Sequence, residues 1–438
     1  MGTTTDKLNK IIVSKEDIRL AINEKGVLVD TSVLLSDYGN KVREISTGLP
    51  TQEKTLSLTE NASFEILPDS GFALSKVTAN VNVPSIVGTG NIRARFYCCD
   101  GTIIKYQRLN KGETPIEPIV QIPDSRLVFS GWNKTIGAIF EDTEYGAIFN
   151  TVDGATYVQL NTINPTLDAT ITANFTFTKI ANSTLTVEWG DGTTSTDTTA
   201  NTSVTLTKTY ASGQVFWMRI TCNNTFSLGG SGVPFCSNAT FVRKCYFGAN
   251  ILNILSNSFT NNISLEVLSI PVGVQLVQSN AFVGTSSLRH VNYPTTITDW
   301  STSVFQSSLL KMLIFGKNNP TLFSNTNSTY FYFARALQKI SIPDGTTEIA
   351  GGFFRECNSL EEVIIPATVS IFSGTLHFLM CFSLKLLKIK RATPPIISNS
   401  TFLDMNNTCR IEVPQGSLNA YRTAPNWSVR AGQIFEEE

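Results

Sequence analysis

Leu265-Glu266-Val267-Leu268-Ser269-Ile270-Pro271 returns, respelled, as Leu337-Gln338-Lys339-Ile340-Ser341-Ile342-Pro343 and as Leu360-Glu361-Glu362-Val363-Ile364-Ile365-Pro366. An apolar residue, another three on, a third two beyond and then proline describe a short strand, closed by a residue with no N–H to extend it. The opening apolar position falls at Val242, Leu265, Leu288, Leu310, Leu337, Leu360 and Leu384, mostly 22 to 24 residues apart with one step of 27. A second apolar phrase lies between the openings: Ser258-Phe259, Ala281-Phe282, Val304-Phe305, Phe353-Phe354 and Thr401-Phe402. One strand and one aromatic return per unit, at this period, predict a solenoid in which each unit is buried against its neighbours.

The proline after the strand, and the Phe ahead of a step such as Cys357-Asn358-Ser359-Leu360, make the array similar to the BspA-type leucine-rich repeats. Val413-Pro414-Gln415-Gly416-Ser417, with Tyr421, Arg422 and Trp427, resembles the terminal unit that closes such arrays. The solenoid with its cap is therefore expected over 236–438. The unit between Leu310 and Leu337 is longer and aromatic, running from Asn318-Asn319-Pro320 to Tyr330-Phe331-Tyr332-Phe333. Inserted loops are where repeat proteins carry contacts, so Tyr330, Phe331 and Tyr332 are candidate binding residues, and Trp300, in the preceding unit, is a further candidate.

Upstream, Val187-Glu188-Trp189-Gly190-Asp191-Gly192-Thr193-Thr194 puts an Asp-Gly turn between alternating strands, with Val215 to Ile220 returning. That pattern predicts an antiparallel sandwich over 165–235, and with Lys208-Thr209-Tyr210 it looks like a PKD-type immunoglobulin-like domain. The resemblance implies a rigid spacer in which Asp191 forms a turn, with a calcium role as its rival. Residues 91–164 read as a second β-rich domain. Its hairpin turns at Asp100-Gly101, and Phe129-Ser130-Gly131-Trp132 make a bend that loosely resembles the small β-grasp-like repeats of bacterial surface proteins, with Trp132 in the core.

Residues 48–90 read as a small β unit, with a turn at Pro68-Asp69-Ser70-Gly71. Before it, Ser14 and Ser36 cap two short helices, giving an N-terminal helical module over 1–47. Its phrases Ser14-Lys15-Glu16-Asp17-Ile18-Arg19 and Leu35-Ser36-Asp37-Tyr38 look like a small attachment module of tailed-bacteriophage structural proteins, and Leu67 to Val77 is similar to another unit of such proteins. The fold class expected is thus mostly β and multidomain.

Composition narrows the function. A net charge of −1 over 438 residues offers no basic field for nucleic acid. No apolar run reaches the about 18 residues that span a bilayer, so membrane insertion is not expected. The eight cysteines form no Cys-x-x-Cys. They read as reduced, buried thiols, with Cys222 and Cys236 the one plausible bridge, and Cys98 and Cys99 facing opposite sides of a strand. His290 and His377 sit inside repeat units without triad partners, and Glu361 and Glu362 are adjacent and alternate in direction. No catalytic residue, metal or cofactor is expected.

The resemblances imply a bacteriophage virion structural protein, a fibre, head decoration or tail appendage. It would be anchored to other virion proteins by its N-terminus and would present the repeats to a host surface protein or glycan as a homo-oligomer. A bacterial cell-surface adhesin is the alternative, since these repeats and PKD-like domains occur there. A polysaccharide depolymerase is the third reading.

Overall fold

The computed structural model describes the backbone of 51–58 and 73–81, and residues 87–437 except 164–169, 231, 239, 298, 302 and 316–329; the side chains of 299 and 300 lie outside it too. The expected helical module at 1–47 is outside the described residues. Two compact units divide at Ile86 and Val87. In the first, Thr51–Leu58 pairs in parallel with Ala73–Val81.

The second unit begins with a four-stranded sheet. Ile92–Tyr97 and Ile103–Leu109 form the expected hairpin, and Thr143–Thr151 pairs in parallel with the first of these and antiparallel with Leu127–Trp132. Trp132 packs edge-on against Phe96 at 4.8 Å and Phe129 at 5.3 Å, and its indole N–H donates to Glu117. The strand ends at Tyr97, so Cys98 and Cys99 lie in the turn, both buried in one hydrophobic cluster. This corrects the expectation that they point to opposite faces. All eight cysteines are buried and free, Cys222 and Cys236 included, so the plausible bridge is absent.

Two antiparallel layers follow. One sheet orders Thr194–Asp197, Leu185–Glu188, Val215–Cys222 and Thr156–Asn161, and the other orders Ser203–Ala211, Thr170–Lys179 and Phe226–Leu228. Between them sit Phe175, Phe177, Trp189, Met218 and Ile220, all buried. Asp191 is a turn residue: it accepts from the Thr193 N–H and hydroxyl and pairs with Lys208 at 2.6 Å.

The sandwich has no seam with the solenoid. Val242–Tyr246 pairs antiparallel with Thr156–Asn161 on one side and parallel with Val267–Ser269 on the other. One strand thus ends the sandwich sheet and opens the repeat array, and a single hydrophobic core runs through both. The boundaries expected at 164 and 235 cut through this continuous structure. Covering the first rung with a paired strand meets the same need as the lid at the other end, since a solenoid's terminal rungs have no neighbour of their own kind.

From there the strands His290–Asn292, Met312–Ile314, Lys339–Ser341, Glu362–Ile365, Leu386–Ile389, Arg410–Val413 and Ile434–Glu436 stack in parallel. Inward residues alternate with outward ones along each strand, as a pleat requires, and in the last strand it is Ile434 that points inward. Leu268, Val291, Leu313, Ile340, Val363, Leu387 and Ile411 are buried. The aromatic returns stack rung on rung: Phe259 on Phe282 on Phe305 at 5.6 and 5.4 Å, and Phe354 on Phe378 at 5.5 Å. The array closes as the sequence predicts, with Trp427 against Phe402 and Tyr421 and its indole N–H donating to the Pro395 carbonyl.

Candidate functional site

A stacked solenoid has two surfaces for a partner, the outward face of its sheet and the ridge of its turns. Repeat solenoids generally use the extended sheet-side surface. In this chain the early rungs of that surface are occupied from within, by the four-stranded sheet. Ser269, His290, Asn292 and Ile314 point outward from the array and are nevertheless buried. The Asn292 amide donates to the carbonyls of Cys98 and Ala147, each at 3.1 Å, and its oxygen lies 2.6 Å from His290 Nε2. Asn133 answers from the other side, donating to the Ile314 carbonyl at 3.0 Å. Burial, against the pull of the Asn292 hydrogen bond, lowers the His290 pKa to about 4, so the ring is neutral.

Charge locks the far end of this contact. Glu144 meets Lys339 at 3.0 Å and Arg95 at 3.3 Å, Lys339 also meets Glu362 at 3.1 Å, and Lys390 pairs with Glu141. Burial would raise the Glu144 pKa, but Lys339 and then Arg95 outweigh it and hold the carboxyl down at about 2. Gly146 shows how close the two layers lie, because a Cβ there would sit 2.5 Å from the Asn292 amide. Gly146→Ala is expected to cost about 1–3 kcal/mol through overpacking, read as a lower denaturation midpoint. A midpoint unchanged from wild type would show that the layers give way freely.

The ridge is open along its length. On either side of each buried Phe the backbone turns left-handed: Asn257 and Asn261 flank Phe259, Asn280 and Gly284 flank Phe282, and Ser303 and Ser307 flank Phe305. The second of these positions closes a ladder of its own. Its N–H donates to the next rung's ridge carbonyl, from Asn261 to Val283, Gly284 to Gln306, Ser307 to Tyr332, Phe333 to Arg355 and Glu356 to Leu379. Asn, Gly and Asp tolerate this conformation, and bulky side chains do so at a cost of about 1–2 kcal/mol. Yet three consecutive rungs place Phe333, Glu356 and Met380 there, at φ of 59°, 62° and 61°.

Those three strained residues carry the most elaborate surface of the array. The Tyr332 and Phe333 rings lie 4.1 Å apart; the Arg335 guanidinium is 5.0 Å over Phe333 and that of Arg355 is 5.2 Å over Tyr332. Glu356 sits 3.6 Å from both arginines. Met380 and Phe382 continue the patch on the next rung, 39% and 56% exposed. Aromatic rings, methionine and arginine held at fixed spacing are the composition that dominates recognition surfaces. Strain kept at such a place points to function.

The expected binding residues divide accordingly. Tyr330 and Phe331 are fully buried, Tyr330 against Phe353 and Phe331 against both Phe353 and Phe354, so they are corrected from contact residues to core. Tyr332 is half-buried and belongs to the ridge patch. Trp300 pairs by its backbone with Val277, and its side chain lies outside the described residues, as does most of the long loop before Tyr330. Arg335, Arg355, Glu356 and Phe382 were not singled out by sequence pattern, and Phe333 was named only as the end of the aromatic stretch. The signal was there in the repeat alignment, where bulky residues stand at a position that elsewhere is Asn, Gly, Ser or Asp. Of the adjacent carboxylates, Glu362 pairs with Lys339 and Glu361 with Lys385. His377 is buried, its Nε2 2.8 Å from the Ser373 carbonyl.

The fold and the ridge together define a leucine-rich-repeat solenoid. Residues 232–313 and 324–423 match the BspA type leucine rich repeat region family in six copies. Among solved structures, the chain is similar to the crystal structure of a leucine rich cell surface protein from Faecalibacterium prausnitzii A2-165. The identity is 20%, over 32% of this chain and 46% of that one, with a TM-score of 0.27. The chain thus spans less than half of that structure. No curated protein matches. These findings support the BspA-type repeats and lend no support to a PKD domain or to a phage origin.

Proposed function

We propose that this is an adhesin-like recognition protein of a bacterial surface, non-enzymatic, whose contacts are made by the ridge from Tyr332 to Phe382. The observation that carries the reading is the combination of a sheet face self-covered over its early rungs with an aromatic and arginine patch kept on strained backbone. BspA-type repeats fit a surface setting better than the virion setting, for which no comparison speaks. Repeated display on a surface supplies avidity, so a single contact need not be tight.

The test separates folding from recognition. Phe333→Asn places a residue suited to the left-handed turn, and its stability is expected to rise by about 1 kcal/mol. Adherence of intact cells, or of beads carrying the full chain, to mucin-coated and epithelial surfaces should fall at least fivefold with Phe333→Asn and Tyr332→Ala together. Unchanged adherence with both replaced would end the ridge assignment. Antibody labelling of intact cells is expected; labelling confined to particles released by lysis would restore the virion reading.

A further inference from the structure

We propose that the ridge binds a carboxylate-bearing polysaccharide along an oblique line from Arg289 through Lys311 and Arg335 to Arg355. This deepens the adhesin-like reading above and rests on it.

Four successive rungs each contribute one cation, Arg289 and Lys311 in register with each other and Arg335 and Arg355 both beside Glu356, while Glu361, further along the register of the first two, is taken up by Lys385. Parallel rungs are about 4.8 Å apart, so three steps advance about 14 Å along the array, and the oblique line through the four cations is longer than that. Arg289 spends Nη1 on the carbonyls of Ser286 and Leu309, at 2.7 and 3.0 Å, and among the described residues it has no carboxylate partner. Lys311 likewise has no carboxylate partner there; burial first, and then the like charge of Arg289, lower its pKa. Two neighbouring cations without a counter-charge are complementary to an anionic partner.

The rest of the patch favours sugar over peptide. An extended peptide adds to a sheet through unpaired backbone groups. Here the N–H groups of Phe333, Arg335, Arg355 and Glu356 all bond within the array. What remains to a ligand is side chains: the rings of Tyr332 and Phe333, with apolar faces and edges, and guanidinium groups whose fork matches a carboxylate. A uronate ring offers both complements, a C–H face for the rings and a carboxylate for the fork.

The experiment uses the full chain and titrates polygalacturonate, alginate and hyaluronate by calorimetry, with methyl-esterified polygalacturonate, poly-L-glutamate and single-stranded DNA as comparators. Binding to at least one uronate polymer is expected. Methyl esterification should weaken polygalacturonate binding at least tenfold, and so should Arg335→Gln with Arg355→Gln, while Lys311→Gln has a smaller effect. Equal binding of poly-L-glutamate or DNA would reduce the line to a general polyanion surface and overturn the proposal. Silence toward all three uronate polymers would also overturn it. In that case ridge variants that still abolish adherence would leave the adhesin reading standing, and variants with normal adherence would remove both.

Discussion

Glu144→Gln is expected to lower stability by about 3 kcal/mol, the low end of what breaking a buried ion pair costs. The amide keeps the shape and removes the charge, leaving Arg95 desolvated without its carboxylate and Lys339 with Glu362 alone. Loss of contact should show as protease cleavage at the Cys98 to Gly101 turn, which in the wild type is held against Asn292. Lys339→Met added to Glu144→Gln should recover part of the loss, because it removes a buried charge in place of exposing one. A fully wild-type midpoint for Glu144→Gln would mean that packing alone holds the layers.

Glu144 and His290 make the covered face acid-sensitive, with the sign fixed by both shifts. Glu144 has a folded pKa of about 2, below the ordinary value near 4.3. Its contribution is complete above about pH 4.3 and is lost as pH falls through 2. His290 is also depressed, to about 4 from an ordinary value near 6.5. Its neutral form is the one the fold prefers, so stability falls between about pH 6.5 and 4. Together they stretch acid destabilisation over the whole range from 6.5 to 2.

How much of this could be read from the chain depends on which neighbour a residue answers to. The strand phrase, the aromatic return and the cap answer to sequence-adjacent units, and their positions follow from the period alone. The covering of the sheet answers to residues well over a hundred positions away, as Asn292 does to Cys98 and Ala147. Even so, it left a trace. After the first rung, which carries Lys244, the outward positions Val267, Ser269, His290, Asn292, Met312 and Ile314 carry no formal charge, whereas Lys339, Glu362, Lys388, Arg410 and Glu412 on later rungs do. The candidate site was half legible, because aromatic content marked the rung around Tyr332 but inward and outward residues alternate too irregularly in a turn to be told apart. Tyr330 and Phe331 look identical in sequence to the ridge residues beside them.

Phe354→Ala carries the largest effect expected. The ring is fully buried, with Phe353 at 4.7 Å, Phe378 at 5.5 Å and Phe331 at 6.1 Å. Truncating a buried Phe costs about 3–5 kcal/mol, and the residual cavity here has aromatic walls fixed by the rungs on both sides, which limits collapse. The consequence goes beyond one lost contact. In a solenoid each rung is stabilised mainly through its two neighbours, so weakening one interface uncouples the rungs beyond it from those before it. Denaturant unfolding of the variant should therefore split, the rungs from Glu362 to the cap melting ahead of the sandwich and the early rungs. Phe354→Leu, which keeps most of the volume, should restore a single transition at an intermediate midpoint. One unsplit transition shifted by less than about 1 kcal/mol for the alanine variant would show that the aromatic column is packing filler, with the strand ladder alone carrying the coupling.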